Sequence, residues 1–228
     1  MALDVFKDGA IEVGLLRQMA VEAESRGSIE EANALCRAAV VLLVSHFESF
    51  LKTIAEEYVD AIESGEVPSG RIPRGLREAH TLPRLQAIVT SGNDEQRSVL
   101  LKRLGNDAAL WKEDAKPPKG SLNAGTFSRL VTSAKADVIN DVFVRMGSKS
   151  NVCDGDIEMA SSGGDVITAN IQLSIRDVIA CRNDIAHGKA ERKPTPDDVT
   201  RYLQFLQAFS TRLQRKATML SVELLEVM

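Results

Sequence analysis

Residues 169–187 carry the sequence ANIQLSIRDVIACRNDIAH, and this stretch decides the fold. Its apolar residues recur at steps of four, three and seven, at Ile171, Ile175, Val178 and Ile185. This spacing predicts an amphipathic helix whose apolar stripe faces a core or a partner. Arg182 occupies the position in that stripe where an aliphatic residue is expected. A guanidinium is costly to leave unpaired in a dry core, and it does not lose its charge. Arg182 therefore either pairs with a carboxylate or opens into a polar cleft that binds an anion.

The composition suits one soluble globular domain with a substantial core, since 44% of the 228 residues are hydrophobic and 26% are charged. A net charge of −4 argues against a generic basic nucleic-acid surface but leaves room for a local basic pocket. Aromatic residues make up only 4%, which argues against base-stacking platforms. The three cysteines lie far apart without a CxxC pair, so we expect reduced thiols in a cytoplasmic protein. No signal segment or membrane-length apolar run is evident, so we expect no membrane association.

The rest of the chain is also predicted to be helical. Ser28 and Glu31 form a capping-box pattern that opens a long helix reaching about residue 64. Thr195 or Asp197 is expected to cap the last helix. The predicted helices are 3–25, 28–64, 84–91, 94–104, 107–114, 127–146, 169–187 and 197–226, with a short helix in the 65–83 loop and a loop at 147–165. The pattern predicts an all-α antiparallel helical bundle with inserted short helices and loops.

His187 is expected in the last turn of the helix over 169–187, because Gly188 is a natural C-cap. Helix-end carbonyls favour a protonated imidazole. Asn183 and Asp184 precede His187 by four and three residues, so either side chain can hydrogen-bond an imidazole nitrogen. Arg182 lies roughly 140° around the helix from His187. The two therefore converge most easily where the helix frays, or across a second copy of the same helix.

Glu48 lies in the most apolar part of the long helix and has two interpretations. It is either a polar wall of a site that orients Arg182 or a water, or an ordinary ion-pair partner of Lys52 at i,i+4 spacing. A basic stretch after His187 likewise either grips substrate phosphates or is a solvated loop. Its members are Lys189, Arg192 and Lys193.

The pattern Arg182-Asn183-x-x-x-His187 resembles the Arg-x4–6-His signature of the HEPN superfamily, including the asparagine after the arginine. Gly188 and the Pro/Thr/Asp-rich turn before the final helix agree with that resemblance. The apolar helix CRAAVVLLVSHFESFLK over 36–52, with its Phe-Glu step, is similar to the first core helix of bacterial HEPN proteins. The nearest groups are the RiboL-PSP-type and MAE-type HEPN proteins. The resemblance covers about 36–63 and 168–215. Within a single domain spanning 1–228, residues 65–165 are then a candidate family-specific insertion.

The resemblance implies a metal-independent endoribonuclease that acts without a cofactor, usually as a homodimer. Arg182 and His187 would be the catalytic residues, with Asn183, Asp184 and Glu48 supporting them. A ribose 2′-hydroxyl would attack the adjacent phosphorus while His187 moves a proton and Arg182 binds the phosphate oxygens. The implied setting is a cytoplasmic toxin or antiviral defence effector. Its partners would be RNA and an antitoxin or a sensor ATPase, with no metal and no membrane.

Two other interpretations remain open. The acidic balance and the unmatched middle favour a non-catalytic HEPN-like module that binds a nucleotide or a protein. A plain helical scaffold is the third interpretation, and Arg182→Met should then be neutral or stabilising.

Overall fold

The structure is a computed structural model that describes residues 1–160 and 165–226. These residues form eight α-helices, a short 3-10 turn at Ser69–Arg71 and one two-stranded antiparallel sheet. The helices are α1 (Ala2–Ser25), α2 (Ile29–Ser64), α3 (Arg74–Thr90), α4 (Asp94–Ala109), α5 (Ala124–Ser128), α6 (Ala136–Arg145), α7 (Ile171–Ala186) and α8 (Pro196–Leu225). The strands are β1 (Asp156–Ala160) and β2 (Val166–Asn170). The mostly helical fold is confirmed.

The sheet is a departure from the all-helical prediction. β1 and β2 pair with Asp156 opposite Asn170 and Ala160 opposite Val166. Among the ten strand residues only Met159 is buried, so the hairpin carries little of the apolar alternation by which strands are recognised. The predicted loop over 147–165 is therefore partly a strand, and its residues 161–164 lie outside the described part of the chain.

Three helix predictions also differ from the structure. The two helices predicted over 94–104 and 107–114 are one helix, α4, which ends at Ala109. α3 runs through Pro83, whose ring removes one helical hydrogen bond, the one that the Ala79 carbonyl would otherwise accept. The single helix predicted over 127–146 is two helices, α5 and α6, with residues 129–135 between them. α5 is a short turn whose N-cap, Asn123, accepts a hydrogen bond from the Thr126 amide at 2.8 Å. This cap fixes the start of α5 at Ala124, three residues before the predicted start.

The cap of α8 forms as predicted at Thr195. The Thr195 hydroxyl accepts a hydrogen bond from the Asp198 amide at 3.1 Å, and the Asp198 carboxylate accepts one from the Thr195 amide at 3.0 Å. Pro196 occupies the first helical position, where a missing N–H costs nothing. This reciprocal capping box fixes where α8 begins.

Contacts divide the chain into two compact units. The first comprises Met1–Leu51, Thr132–Ile139 and Val152–Arg215, and the second comprises Lys52–Val131, Asn140–Asn151 and Lys216–Met228. The first unit has an aromatic core in which Phe47 contacts Phe6 and Phe209, each with ring centroids 6.0 Å apart. In the second unit the buried Tyr58 hydroxyl donates to the Met146 carbonyl at 2.6 Å. All of the predicted site residues lie in the first unit.

α2 is the longest and most apolar helix of the described residues. By length and composition alone it is the one described helix that could cross a membrane, with a mean hydropathy of 1.6 over its most apolar window. In that window, 44% is buried within the protein, and core helices of folded domains meet the same criterion.

Candidate functional site

Arg182 lies on the buried side of α7 but is not sealed from solvent. α7 begins at the cap Asn170, whose side chain accepts the Leu173 amide at 3.1 Å, and it buries Ile175 and Val178. The Arg182 side chain keeps 26% of its surface exposed. Its Nη2 donates a hydrogen bond to Oε1 of Glu48 on α2. Arg182 therefore pairs with a carboxylate and still has surface open to an incoming group.

Glu48 joins three segments that are distant in sequence. Its side chain is 25% exposed, and Oε1 accepts from Arg182 on α7 and, at 3.3 Å, from the Ala134 amide just before α6. Among the described side chains Glu48 forms its salt bridge with Arg182, and no salt bridge with Lys52 is present there. Of the two interpretations of Glu48, the contact with Arg182 is the one present in the structure.

His187 is the C-cap of α7, as its spacing before Gly188 predicts. The His187 amide donates to the Asn183 carbonyl at 2.9 Å, the Gly188 amide to the Ile185 carbonyl at 3.0 Å, and the Lys189 amide to the Asp184 carbonyl at 3.0 Å. This is a Schellman ending, and Gly188 supplies its left-handed residue with φ +74°. His187 is exposed to solvent at this end of the helix.

Asp184 contacts a lysine and does not form the hydrogen bond to the His187 imidazole that its spacing allows. Its carboxylate accepts a hydrogen bond from Lys189 Nζ at 2.7 Å. That hydrogen bond and the ammonium charge hold the pKa of the Asp184 carboxyl below its usual value. Asn183 lies half-buried one turn before His187. Within residues 1–160 and 165–226, neither side chain hydrogen-bonds the imidazole.

The three residues predicted to bind phosphate differ in solvent exposure and in the ion pairs that they form. Arg192 keeps 37% of its side chain exposed, and its Nη2 lies 3.4 Å from both Asp177 Oδ1 and the Tyr202 hydroxyl. Lys189 is exposed but engaged with Asp184. Lys193 is exposed. The structure therefore leaves the two lysines better placed than Arg192 to meet an anion from solvent.

Sequence reasoning missed Arg37. On α2, its Nη1 donates to the carbonyls of Lys189 at 2.9 Å and Arg192 at 2.8 Å, which holds the turn after His187 against α2. Arg37 precedes Glu48 by eleven residues, a spacing that puts both on one face of the helix. This spacing is the one sequence signal that places Arg37 near the site. The sequence does not reveal its partners, because they are backbone carbonyls, which every residue has.

α7 carries two groups with useful chemistry: the Arg182 guanidinium, which is a permanent cation, and the His187 imidazole, which can accept or donate a proton. Arg182 and His187 are five residues apart, so they lie roughly 7.5 Å apart along α7 and on different sides of it. A guanidinium binds phosphate oxygens through its planar donors, and an imidazole exchanges protons near neutral pH. As for metals, no group of three or more His, Cys, Asp or Glu side chains converges in the described part of the chain.

Comparison with known proteins gives one family. The sequence model described as RiboL-PSP-HEPN matches residues 15–218, a range that includes the 65–165 stretch. No curated protein and no solved structure matches the chain. Whether residues 65–165 form a family-specific insertion within a single domain stays a prediction.

Proposed function

Because the chain belongs to the RiboL-PSP-HEPN family, we propose that it is a metal-independent endoribonuclease with Arg182 and His187 as catalytic residues. The ribose 2′-hydroxyl attacks the adjacent phosphorus and loses its proton to a basic imidazole. The P–O5′ bond breaks, and the leaving oxygen takes a proton from an acid. The products are a 2′,3′-cyclic phosphate and a 5′-hydroxyl, so neither metal nor cofactor is consumed.

The observation that carries the proposal is the geometry of Arg182. A partly exposed guanidinium is held by Glu48 through one of its nitrogens, which leaves other N–H donors for a phosphate. Holding the cation in advance means that little reorganisation accompanies the growth of negative charge on the phosphate.

His187 supports the same proposal through its position at the end of α7. His187 is exposed there, where a substrate can reach it, and an imidazole is the side chain that most often serves as a general acid or base. Since Arg182 and His187 diverge on one helix, we propose a homodimer in which the arginine of one copy and the histidine of the other face one cleft. The proposed setting is a cytoplasmic toxin or defence effector, controlled by an antitoxin or sensor partner.

The test is cleavage of single-stranded RNA in EDTA, with product ends analysed for the cyclic phosphate. Arg182→Ala and His187→Ala are expected to lower cleavage by about 10²-fold or more, as the loss of a general acid–base or oxyanion donor does elsewhere. Arg176→Ala is the matched control, because Arg176 is an exposed arginine on the same helix. DNA of the same sequence should stay intact because it lacks the 2′-hydroxyl.

The dimer can be tested with the same variants. If the site combines two copies, mixing Arg182→Ala with His187→Ala chains restores part of the activity, because one intact site forms in each heterodimer. If the site lies within one copy, the mixture stays inactive. Folded wild-type protein that leaves RNA intact with its activating partner present would contradict the nuclease proposal itself.

A second candidate is a non-catalytic module that binds a nucleotide or a protein. The observation that favours it is the His187 imidazole, which no described hydrogen bond orients. In that case Arg182→Ala weakens binding of a fluorescent nucleotide, while the wild type leaves added RNA without cyclic-phosphate ends. Measuring anisotropy and product ends on the same samples separates the two functions.

A further inference from the structure

We propose that the solvent face of α1 binds a basic amphipathic helix of a partner protein. The face consists of exposed residues that repeat at helical spacing, and we call it the α1 acidic face. Its members are Met1, Asp4, Val5, Asp8, Ile11, Glu12, Leu15, Met19 and Glu22.

The apolar members of the α1 acidic face are large and well exposed. The exposed fractions are 60% for Val5, 65% for Ile11, 58% for Leu15 and 50% for Met19. The last three follow one another at steps of four, so they form a continuous ridge. A helix side that only meets water is polar, whereas a contiguous exposed apolar ridge marks an interaction surface.

The charged side chains of the α1 acidic face are all carboxylates. Lys7 lies at the edge of this face, three residues after Asp4 and four before Ile11, whereas Arg17 projects from the opposite side of the helix. Asp4 contacts the Met1 amino group at 3.6 Å, and Glu12 contacts His46 Nε2 at 3.2 Å. In the described residues no lysine or arginine forms a salt bridge with any carboxylate of the face. Asp8 and Glu22 form no salt bridge among the described residues, so their negative charge is available to an external cation.

The opposite side of α1 holds the helix firmly in the first unit. The Phe6 ring lies 6.0 Å from Phe47 and 5.6 Å from Phe50 between centroids. Gly9 lies so close to His46 that a Cβ there would come 2.5 Å from its Cγ. The α1 acidic face is thus presented on a fixed helix, so a partner pays little ordering cost on that side.

These features select the chemistry of the occupant. A second copy would bring carboxylates against carboxylates, and phosphates of nucleic acid or anionic lipid would meet the same repulsion. An amphipathic helix with an apolar stripe flanked by lysine or arginine matches both the ridge and the charge. α1 has 24 residues, or about 36 Å of helix, which is long enough for a partner helix of several turns.

The test uses the full chain and a synthetic 22-residue helical peptide with leucines on one stripe and lysines flanking it. Calorimetry should show one peptide per chain, with affinity falling as salt rises. Leu15→Ser and the pair Asp8→Asn/Glu12→Gln should each weaken binding by about tenfold or more, the effect expected when 1.4 kcal/mol of contact is lost. Val89→Ser, at a residue 77% exposed on α3, is the matched control and should bind normally.

Three results would overturn the proposal. The first is no binding of the peptide by the folded wild type. The second is equal binding by wild type and the Leu15→Ser variant. The third is sedimentation showing that the chain self-associates through this face, with dissociation on Leu15→Ser, which would assign the face to a second copy. None of these measurements depends on RNA cleavage.

Discussion

The Glu48–Arg182 pair predicts a strong energetic coupling that a double-mutant cycle can measure. Glu48→Gln keeps the shape and one acceptor oxygen but removes the charge opposite the guanidinium. Arg182→Met keeps most of the side-chain volume and removes the cation. The two substitutions and their combination then isolate the pairwise contribution to the free energy of unfolding.

The magnitude follows from the burial of the two side chains. A guanidinium and a carboxylate about 4 Å apart attract by roughly 4 kcal/mol at an effective dielectric constant near 20, before desolvation is subtracted. Exposed pairs contribute about 0.2–1 kcal/mol, and breaking buried pairs costs about 3–5 kcal/mol. With 26% and 25% of the side chains exposed, we expect a coupling of about 1–2 kcal/mol, between those limits.

The assay is urea unfolding followed by circular dichroism, with thermal melts as a second measure. Each single variant should unfold about 1–2 kcal/mol more easily, because each leaves one half-buried charge unpaired. The double variant should lose less than the sum of the two losses. Strictly additive losses, with coupling below about 0.3 kcal/mol, would refute the view that Glu48 holds Arg182. A neutral or stabilising Arg182→Met would instead favour the plain scaffold.

The remaining predictions concern three other features of the first unit. Arg37→Met removes both donors to the turn after His187, so the Lys189 amide should exchange hydrogen at least several-fold faster, and unchanged protection would contradict the clamp. Burial raises the pKa of Cys36 to about 11 and that of Cys153 to about 12. Both thiols should therefore resist alkylation at pH 8 until the chain unfolds, and rapid labelling of native protein would contradict their burial. Thr195→Ala should cost about 1 kcal/mol through the lost cap of α8, and an unchanged urea midpoint would show that Asp198 alone suffices.

Much of the fold could be predicted because its signals are local. Three of these signals are the apolar stripe of α7, the glycine after His187 and the Thr195 cap. Each depends on residues within a few positions of one another. The prediction of a loop up to Pro83 was wrong because proline usually breaks a helix, whereas α3 continues through Pro83. The hairpin was missed because nine of its ten residues are not buried.

Around Arg182, the sequence predicted a contact between two side chains, and it missed the contacts between side chains and the backbone. Glu48 and Arg182 are both unusual in apolar stripes, so the sequence itself suggests pairing them. Arg37 bonds to carbonyls 152 and 155 residues away, and every residue has a carbonyl. The hydrogen bond from the Ala134 amide to Glu48 also joins backbone to side chain. It takes an amide between α5 and α6 out of helical hydrogen bonding, which is one reason that residues 127–146 are not one helix.

The two partners of the Glu48 carboxylate are made much later than Glu48 itself during protein synthesis. During synthesis, Glu48 leaves the ribosome 86 residues before Ala134 and 134 residues before Arg182. Until the last of these has emerged and docked, the carboxylate has neither partner and the guanidinium has no fixed orientation. A ribosome-bound fragment that stops short of α7 therefore lacks the Glu48–Arg182 pair altogether.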